Sequence, residues 1–284
     1  MTYHVITIFP ESFDSYLKES ILGRAIRDKK IAVKFYNPMD FCEPKKRVDD
    51  RPYGGGPGMV LRPELFLKAF SKIKTKKAGK VKVILFSPSG KKFDTAYAKK
   101  TVKQKYTDVI LISGRYEGID ARVKKVIKDM GGSLRAKFSS TPGVKDAPTP
   151  GVSRILASSR RQNNFLSIDD ISIGDYVLTS GDLPAMVLID SISRQISGVL
   201  GKYESLEEER ISSSEVYTRP EVLRITESMK TQKHKSIKTK KQKNIKEYRV
   251  PKVLLSGDHA KIEEWKMRHR KHKSTESTKA QKNN

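Results

Sequence analysis

A strand that is apolar along nearly its whole length has to be covered on both faces, and this chain contains two. Val81-Lys82-Val83-Ile84-Leu85-Phe86 and Val109-Ile110-Leu111-Ile112 are short, near-continuous apolar runs, the pattern of central strands in a parallel sheet packed between helices. Each opens into turn chemistry: Ser87-Pro88-Ser89-Gly90 after the first, Ser113-Gly114 after the second. Ligands of open α/β sheets bind beyond the carboxyl ends of the strands, so the two turns are expected to line one pocket. A third wall is expected from Ser172 to Gly181, in the run Ser172-Ile173-Gly174-Asp175-Tyr176-Val177-Leu178-Thr179-Ser180-Gly181. Glycines set against buried strands leave main-chain N–H and C=O groups unobstructed, and a flat heterocycle can be held by the chain itself.

The chain begins in β-α fashion. Tyr3 to Phe9 reads as a strand, followed by a helix with Pro10 in its first turn and Phe13, Tyr16, Leu17, Ile21, Leu22 and Ala25 on one buried face. Met1 to Pro10 lacks the features of a signal peptide. Past the third wall, Asp182 is placed to cap, and Pro184 to start, a helix running to Arg194. Arg194 follows Asp190 by four residues, a spacing that suits an ion pair. Between Val126 and Ser167 the sequence is rich in Gly, Ser, Pro and Arg without periodicity; a long loop over about 127–167 is expected, of the kind that serves as a lid or insertion.

With 58 Lys+Arg against 32 Asp+Glu the formal charge is +26, far above what solubility needs, and a polyanion, nucleic acid first, is the implied partner. No run of about 18 apolar residues exists to cross a membrane. One cysteine, Cys42, rules out internal disulfides and suits a reducing cytoplasm. The histidines lack metal-ligand spacing, and no metal is expected. A polar linker, 202–214, separates residues 1–201 from a basic second domain, 215–284. From Arg219 onward the chain holds twenty Lys and Arg against seven acids. Lys230 to Lys246 is too poor in apolar residues to fold alone, and a helix is expected from Asp258, with Ile262 and Trp265 inward.

Arg51-Pro52-Tyr53-Gly54-Gly55-Gly56-Pro57-Gly58-Met59 is a glycine loop, but Met59-Val60 stand where a P-loop needs Lys and Ser/Thr, so nucleotide hydrolysis is poorly supported. Taken with Gly114-Arg115-Tyr116-Glu117-Gly118-Ile119-Asp120, Ser172 to Met186, Tyr217-Thr218-Arg219-Pro220-Glu221-Val222 and Val253-Leu254-Leu255-Ser256-Gly257-Asp258-His259-Ala260, it resembles the bacterial tRNA (guanine-N1)-methyltransferases that act at position 37. The likeness covers nearly the whole chain and is interrupted at Val126–Ser167 and Lys230–Lys246.

The resemblance implies an α/β fold: a knotted, parallel-sheet methyltransferase domain with a small, mainly helical basic domain after it. It also implies S-adenosylmethionine as donor, tRNA as substrate, gripped at the anticodon stem, and a cytoplasmic homodimer with its active site at the subunit interface; a role for Mg²⁺ stays open. By position, the donor pocket is formed by Ser87, Pro88, Gly114, Tyr116, Glu117 and Gly118, with Ile173, Gly174, Asp175, Tyr176, Val177, Leu178, Gly181 and Pro184. Asp50, Arg51, Tyr53, Gly55, Gly56 and Gly58 lie near the target guanosine. Ser205, Arg219, Lys266, Arg268 and Arg270 contact RNA. Arg194 aligns with the arginine that bonds guanine O6. The general base falls at Glu209, where the family has Asp, with Glu207 and Glu208 as alternatives. Ser180 and Asp182 also depart from the family's Gly and Glu. Two alternatives remain: a related methyltransferase with another nucleoside target, or a non-catalytic RNA-binding relative.

Overall fold

The computed structural model describes residues 1–75, 79–130, 166–201, 213–227 and 244–269. The chain divides into two compact units, Met1–Tyr203 and Glu204–Asn284. The first is built on a five-stranded parallel sheet in the order β2-β1-β6-β5-β7. Its strands are β1 Thr2–Ile6, β2 Ala32–Tyr36, β5 Val81–Lys92, β6 Asp108–Ile112 and β7 Leu166–Ser172, and a small antiparallel pair, β3 Asp49–Asp50 with β4 Val60–Leu61, stands apart. β6 is buried at every residue and lies in the middle of the sheet, which is why its sequence shows no alternation.

Alternate side chains feed two cores. Tyr3, Val5, Ile84, Val109 and Leu111 share one with Leu22, Ala98 and Leu188, supplied by helices α2 Ser20–Arg27, α4 Thr95–Lys103 and α6 Asp182–Arg194. Ile6, Val83, Ile110 and Ile112 share the other with Phe66, Phe70, Val123 and Ile127, from α3 Pro63–Ser71 and α5 Arg122–Asp129. An α/β architecture with a central parallel sheet is therefore what the two apolar runs build.

Several boundaries differ from the sequence reading. β1 stops at Ile6, because Thr7 Oγ1 accepts the Phe9 N–H at 3.1 Å and turns the chain. The expected first helix is broken into a 3-10 turn (Pro10–Phe13), α1 (Asp14–Leu17) and α2, which begins at Ser20 with φ +51°. Phe13, Leu17, Leu22 and Ala25 are buried, but Tyr16 is exposed, and its hydroxyl donates to the Asp190 carboxylate. Asp190 is thereby engaged by Tyr16 and not by Arg194. That carboxylate pushes the Tyr16 pKa up to about 12.

Ser87–Gly90 is not a turn after a strand. β5 continues to Lys92 and shifts register against β7 between Phe86 and Lys91. Gly90 permits this: a Cβ there would lie 2.6 Å from the Ile171 backbone nitrogen, an overlap no side chain can make. Of the long loop expected over about 127–167, residues 131–165 lie outside the described residues; at its edges α5 runs to Asp129 on its buried Val123 and Ile127, and β7 starts at Leu166.

The second unit, where described, is less helical than the resemblance implied. β8 Val222–Glu227 and β9 Asn244–Arg249 form an antiparallel ribbon, followed by α7 Lys252–Leu255 and α8 His259–Arg268. Asp258 caps α8 by accepting the Lys261 N–H, as the sequence suggested. Trp265 stacks on His269 at 4.3 Å between centroids, with Tyr217 at its edge. No helix among the described residues is long and apolar enough to cross a membrane.

Candidate active site

Beyond the carboxyl ends of β6 and β7, and against Leu85–Pro88 within β5, lies a cavity of about 390 Å³, within the usual range for a small-molecule site. Its walls are the three segments the sequence singled out: Leu85–Pro88, Gly114–Ala121 and Asp170–Gly181 except Asp175, with Pro184 from α6. Of the residues expected at the donor pocket, Ser87, Pro88, Gly114, Tyr116, Glu117, Gly118, Ile173, Gly174, Tyr176, Val177, Leu178, Gly181 and Pro184 line this one cavity. Asp175 does not.

Main-chain contacts hold the walls together. Gly181 N–H donates to the Gly114 carbonyl at 2.8 Å, and Arg115 pairs with Ser180. The segment leaving β7 thus passes Phe86 of β5 and returns to the end of β6. Such proximity suits glycine: a Cβ at Gly181 would lie 3.0 Å from Ser113 Cα. Tyr116 and Gly118 take left-handed backbone (φ +56° and +115°), turning the second wall so that Gly118 N–H meets the Arg115 carbonyl.

Asp182 was expected to cap α6. It is the first helical residue instead, with Gly181 in the capping position, and its carboxylate is buried, accepting the Thr7 hydroxyl at 2.7 Å. Its N–H donates to Ser180 Oγ at 3.2 Å. The two departures from the family pattern are therefore hydrogen-bonded to each other and anchor the pocket's third wall to the end of β1.

The glycine loop is laced to the second wall. Glu117 N–H donates to the Met59 carbonyl at 3.1 Å and Leu61 N–H to that of Gly118 at 3.0 Å. Gly54, Gly55, Gly56 and Gly58 all have positive φ, and a Cβ on Gly58 would strike the Glu117 side chain. Tyr53 is almost wholly exposed at the loop's tip, while Asp50 accepts its neighbour Arg51's N–H.

Sequence reasoning missed the charged lining. Lys124 and Asp170, from α5 and β7, form an ion pair in the cavity wall. Asp120 accepts three hydrogen bonds from Arg122, and the guanidinium holds its carboxyl below the usual range. The signal was the i,i+2 spacing of Asp120 and Arg122; Asp170 gave none, since its partner lies far away in sequence. Ser113 Oγ, buried between two lining residues, is the one buried side-chain polar atom without a partner among the described residues.

The chain matches the family model described as tRNA (guanine-1)-methyltransferase TrmD over residues 1–136 and 157–282. It belongs to that family. A tRNA (guanine-N(1)-)-methyltransferase of Clostridioides difficile is 37% identical over 272 residues, covering 94% of this chain and 90% of the relative. One from Caldanaerobacter subterraneus subsp. tengcongensis is 36% identical over 283 residues (98% and 88%), and one from Pseudoalteromonas atlantica 34% over 269 (93% and 78%).

Of the remaining residues that the TrmD resemblance marked, Arg194 does not line the cavity. It ends the face of α6 that carries the exposed Leu183 and Val187, about 15 Å along the helix from Pro184 at a rise of about 1.5 Å per residue. Arg219 is exposed, and Arg268 is paired with Glu264. Ser205, Glu207, Glu208, Glu209 and Arg270 lie outside the described residues.

Proposed function

We propose that the chain transfers a methyl group from S-adenosylmethionine to N1 of guanosine 37 in tRNA, as a homodimer whose first domain (1–201) binds the donor and whose basic second domain (215–284) holds the tRNA. The observation that carries this reading is the cavity enclosed by three backbone segments, in a chain of the tRNA (guanine-1)-methyltransferase family. Its residues fit the donor. Apolar Phe86, Ile173 and Leu178 offer surface to adenine, and the glycines leave main-chain groups accessible. When bound, S-adenosylmethionine supplies an electrophilic methyl carried on a sulfonium.

The protein's residues supply the rest. Guanine N1 carries a proton, so forming the N1–CH₃ bond as the S–CH₃ bond breaks requires a base for that proton; Glu209 takes it. Charge gathering on O6 is met by the guanidinium of Arg194. The glycine loop, with no side chains over four of its residues, leaves room for an extruded base, as such chemistry demands.

Two observations favour the dimer and the knot. Arg194 sits on the α6 face carrying exposed Leu183 and Val187 and away from its own chain's cavity, as expected if it serves the pocket of a second copy. The return of 172–181 past β5 to Gly114 supports the knot. Titration calorimetry tests the reading: S-adenosylmethionine binds with one site per chain, and a tRNA substrate binds the resulting complex. Absence of donor binding by the folded protein overturns it.

A further inference from the structure

A two-stranded ribbon is only marginally stable alone in water, and the β8–β9 ribbon leaves an apolar face uncovered. The register Leu223↔Tyr248 and Ile225↔Lys246 puts these four side chains on one face. Leu223, Ile225 and Tyr248 are 54%, 46% and 55% exposed. On the opposite face, beside the exposed Ile245, Glu247 accepts Arg224 at 2.8 Å and Arg249 at 2.6 Å. The occupant of the apolar face is indicated by charge. Residues 228–243, which join the strands in sequence, contain seven lysines, one histidine and no acid, so an acidic polymer is drawn to this part of the chain and a basic or neutral protein surface is not.

From this juxtaposition we infer that the ribbon face of Leu223, Ile225, Lys246 and Tyr248 binds unpaired RNA nucleotides, a base stacking on the Tyr248 ring. An aromatic ring amid aliphatic side chains offers a base a flat apolar bed and reads no sequence, whereas a base-paired helix hides its base faces. The inference rests on the reading of the chain as an RNA-modifying protein, and adds a contact outside the donor cavity.

The test uses the full-length chain, a tRNA transcript, a short oligouridylate and an RNA duplex of equal length. Base–aromatic stacking corresponds to about 5- to 150-fold in affinity. Tyr248→Ala is expected to weaken oligouridylate and tRNA binding on that scale, with Tyr248→Phe near the parent and duplex binding unmoved. With 4-thiouridine RNA, mass spectrometry is expected to map the photo-crosslink to the peptide containing Tyr248. Parental affinity in Tyr248→Ala overturns the inference while leaving the methyltransferase reading intact; failure of the parent to bind tRNA overturns both. Equal loss in Tyr248→Phe and Tyr248→Ala, or a crosslink confined to other peptides, shows that the ring is not the platform. A changed oligomeric state with unchanged RNA affinity assigns the face to protein and also overturns it.

Discussion

Gly181 stands where the walls of the cavity meet, and Gly181→Ala tests whether main-chain proximity shapes the pocket. An ideal Cβ would lie 3.0 Å from Ser113 Cα, 3.2 Å from Gly114 N and 3.2 Å from Phe86 Cδ2. Comfortable carbon contacts are about 3.5–4.0 Å, so roughly half an ångström has to be found. The Gly181 φ of −78° suits alanine, and the penalty is steric. Ser113 belongs to the sheet interior, its N–H bonded to the Ile6 carbonyl, and the start of α6 is tied to Thr7. What yields is the 172–180 segment, which is the third wall. Overpacking of this kind costs about 1–3 kcal/mol. Expressed at the pocket, that weakens S-adenosylmethionine binding about 5- to 150-fold, and thermal stability falls about 2–4 °C per kcal/mol for a domain of this size. Titration and scanning calorimetry on the same preparation measure both. Parental affinity together with a parental Tm refutes the reasoning.

Thr7→Val removes the hydroxyl that serves both Phe9 N–H and the buried Asp182 carboxylate; urea denaturation should show a loss of about 1–3 kcal/mol, largely restored in Thr7→Ser. At Asp169 burial raises the pKa, but hydrogen bonds from Lys82 and the Tyr97 hydroxyl prevail and hold the carboxyl below its usual range. Its stabilisation is complete above the unfolded value of about 4 and is lost as pH falls through the lowered native value. Asp169→Asn should therefore flatten that part of the acid limb of a stability–pH curve, and an unchanged limb refutes the assignment. Glu209→Gln should slow single-turnover methylation about 10²- to 10⁴-fold with donor and tRNA affinities kept, and Arg194→Ala comparably; a parental rate in Glu209→Gln removes it as the base.

The parallel sheet was legible because two-sided burial leaves a direct mark on composition: β6 carries no polar residue between Val109 and Ile112, and its five residues are all buried. The cavity was legible for a related reason, since Gly181 stands where backbone meets backbone and Gly118 takes a left-handed turn. What escaped reading depends on partners distant in sequence. Asp182 looked like a cap until Thr7, 175 residues away, claimed its carboxylate. Ser87–Gly90 looked like a turn because the β7 backbone that continues the pairing lies beyond Leu166. Tyr16 fits a helical stripe, but the break before α2 leaves it facing Asp190. The β8–β9 ribbon escaped because its strands carry charge on one face and a lysine-rich stretch between them, which masks period-two alternation.

The most direct test of the account is the product itself. The protein is incubated with methyl-labelled S-adenosylmethionine and unmodified tRNA carrying guanosine at position 37, and the digested nucleosides and RNA fragments are identified by mass spectrometry. The account predicts label in 1-methylguanosine at position 37, and none when adenosine replaces that guanosine. Label on another nucleoside or at another position, or no transfer by protein that binds both donor and tRNA, contradicts it.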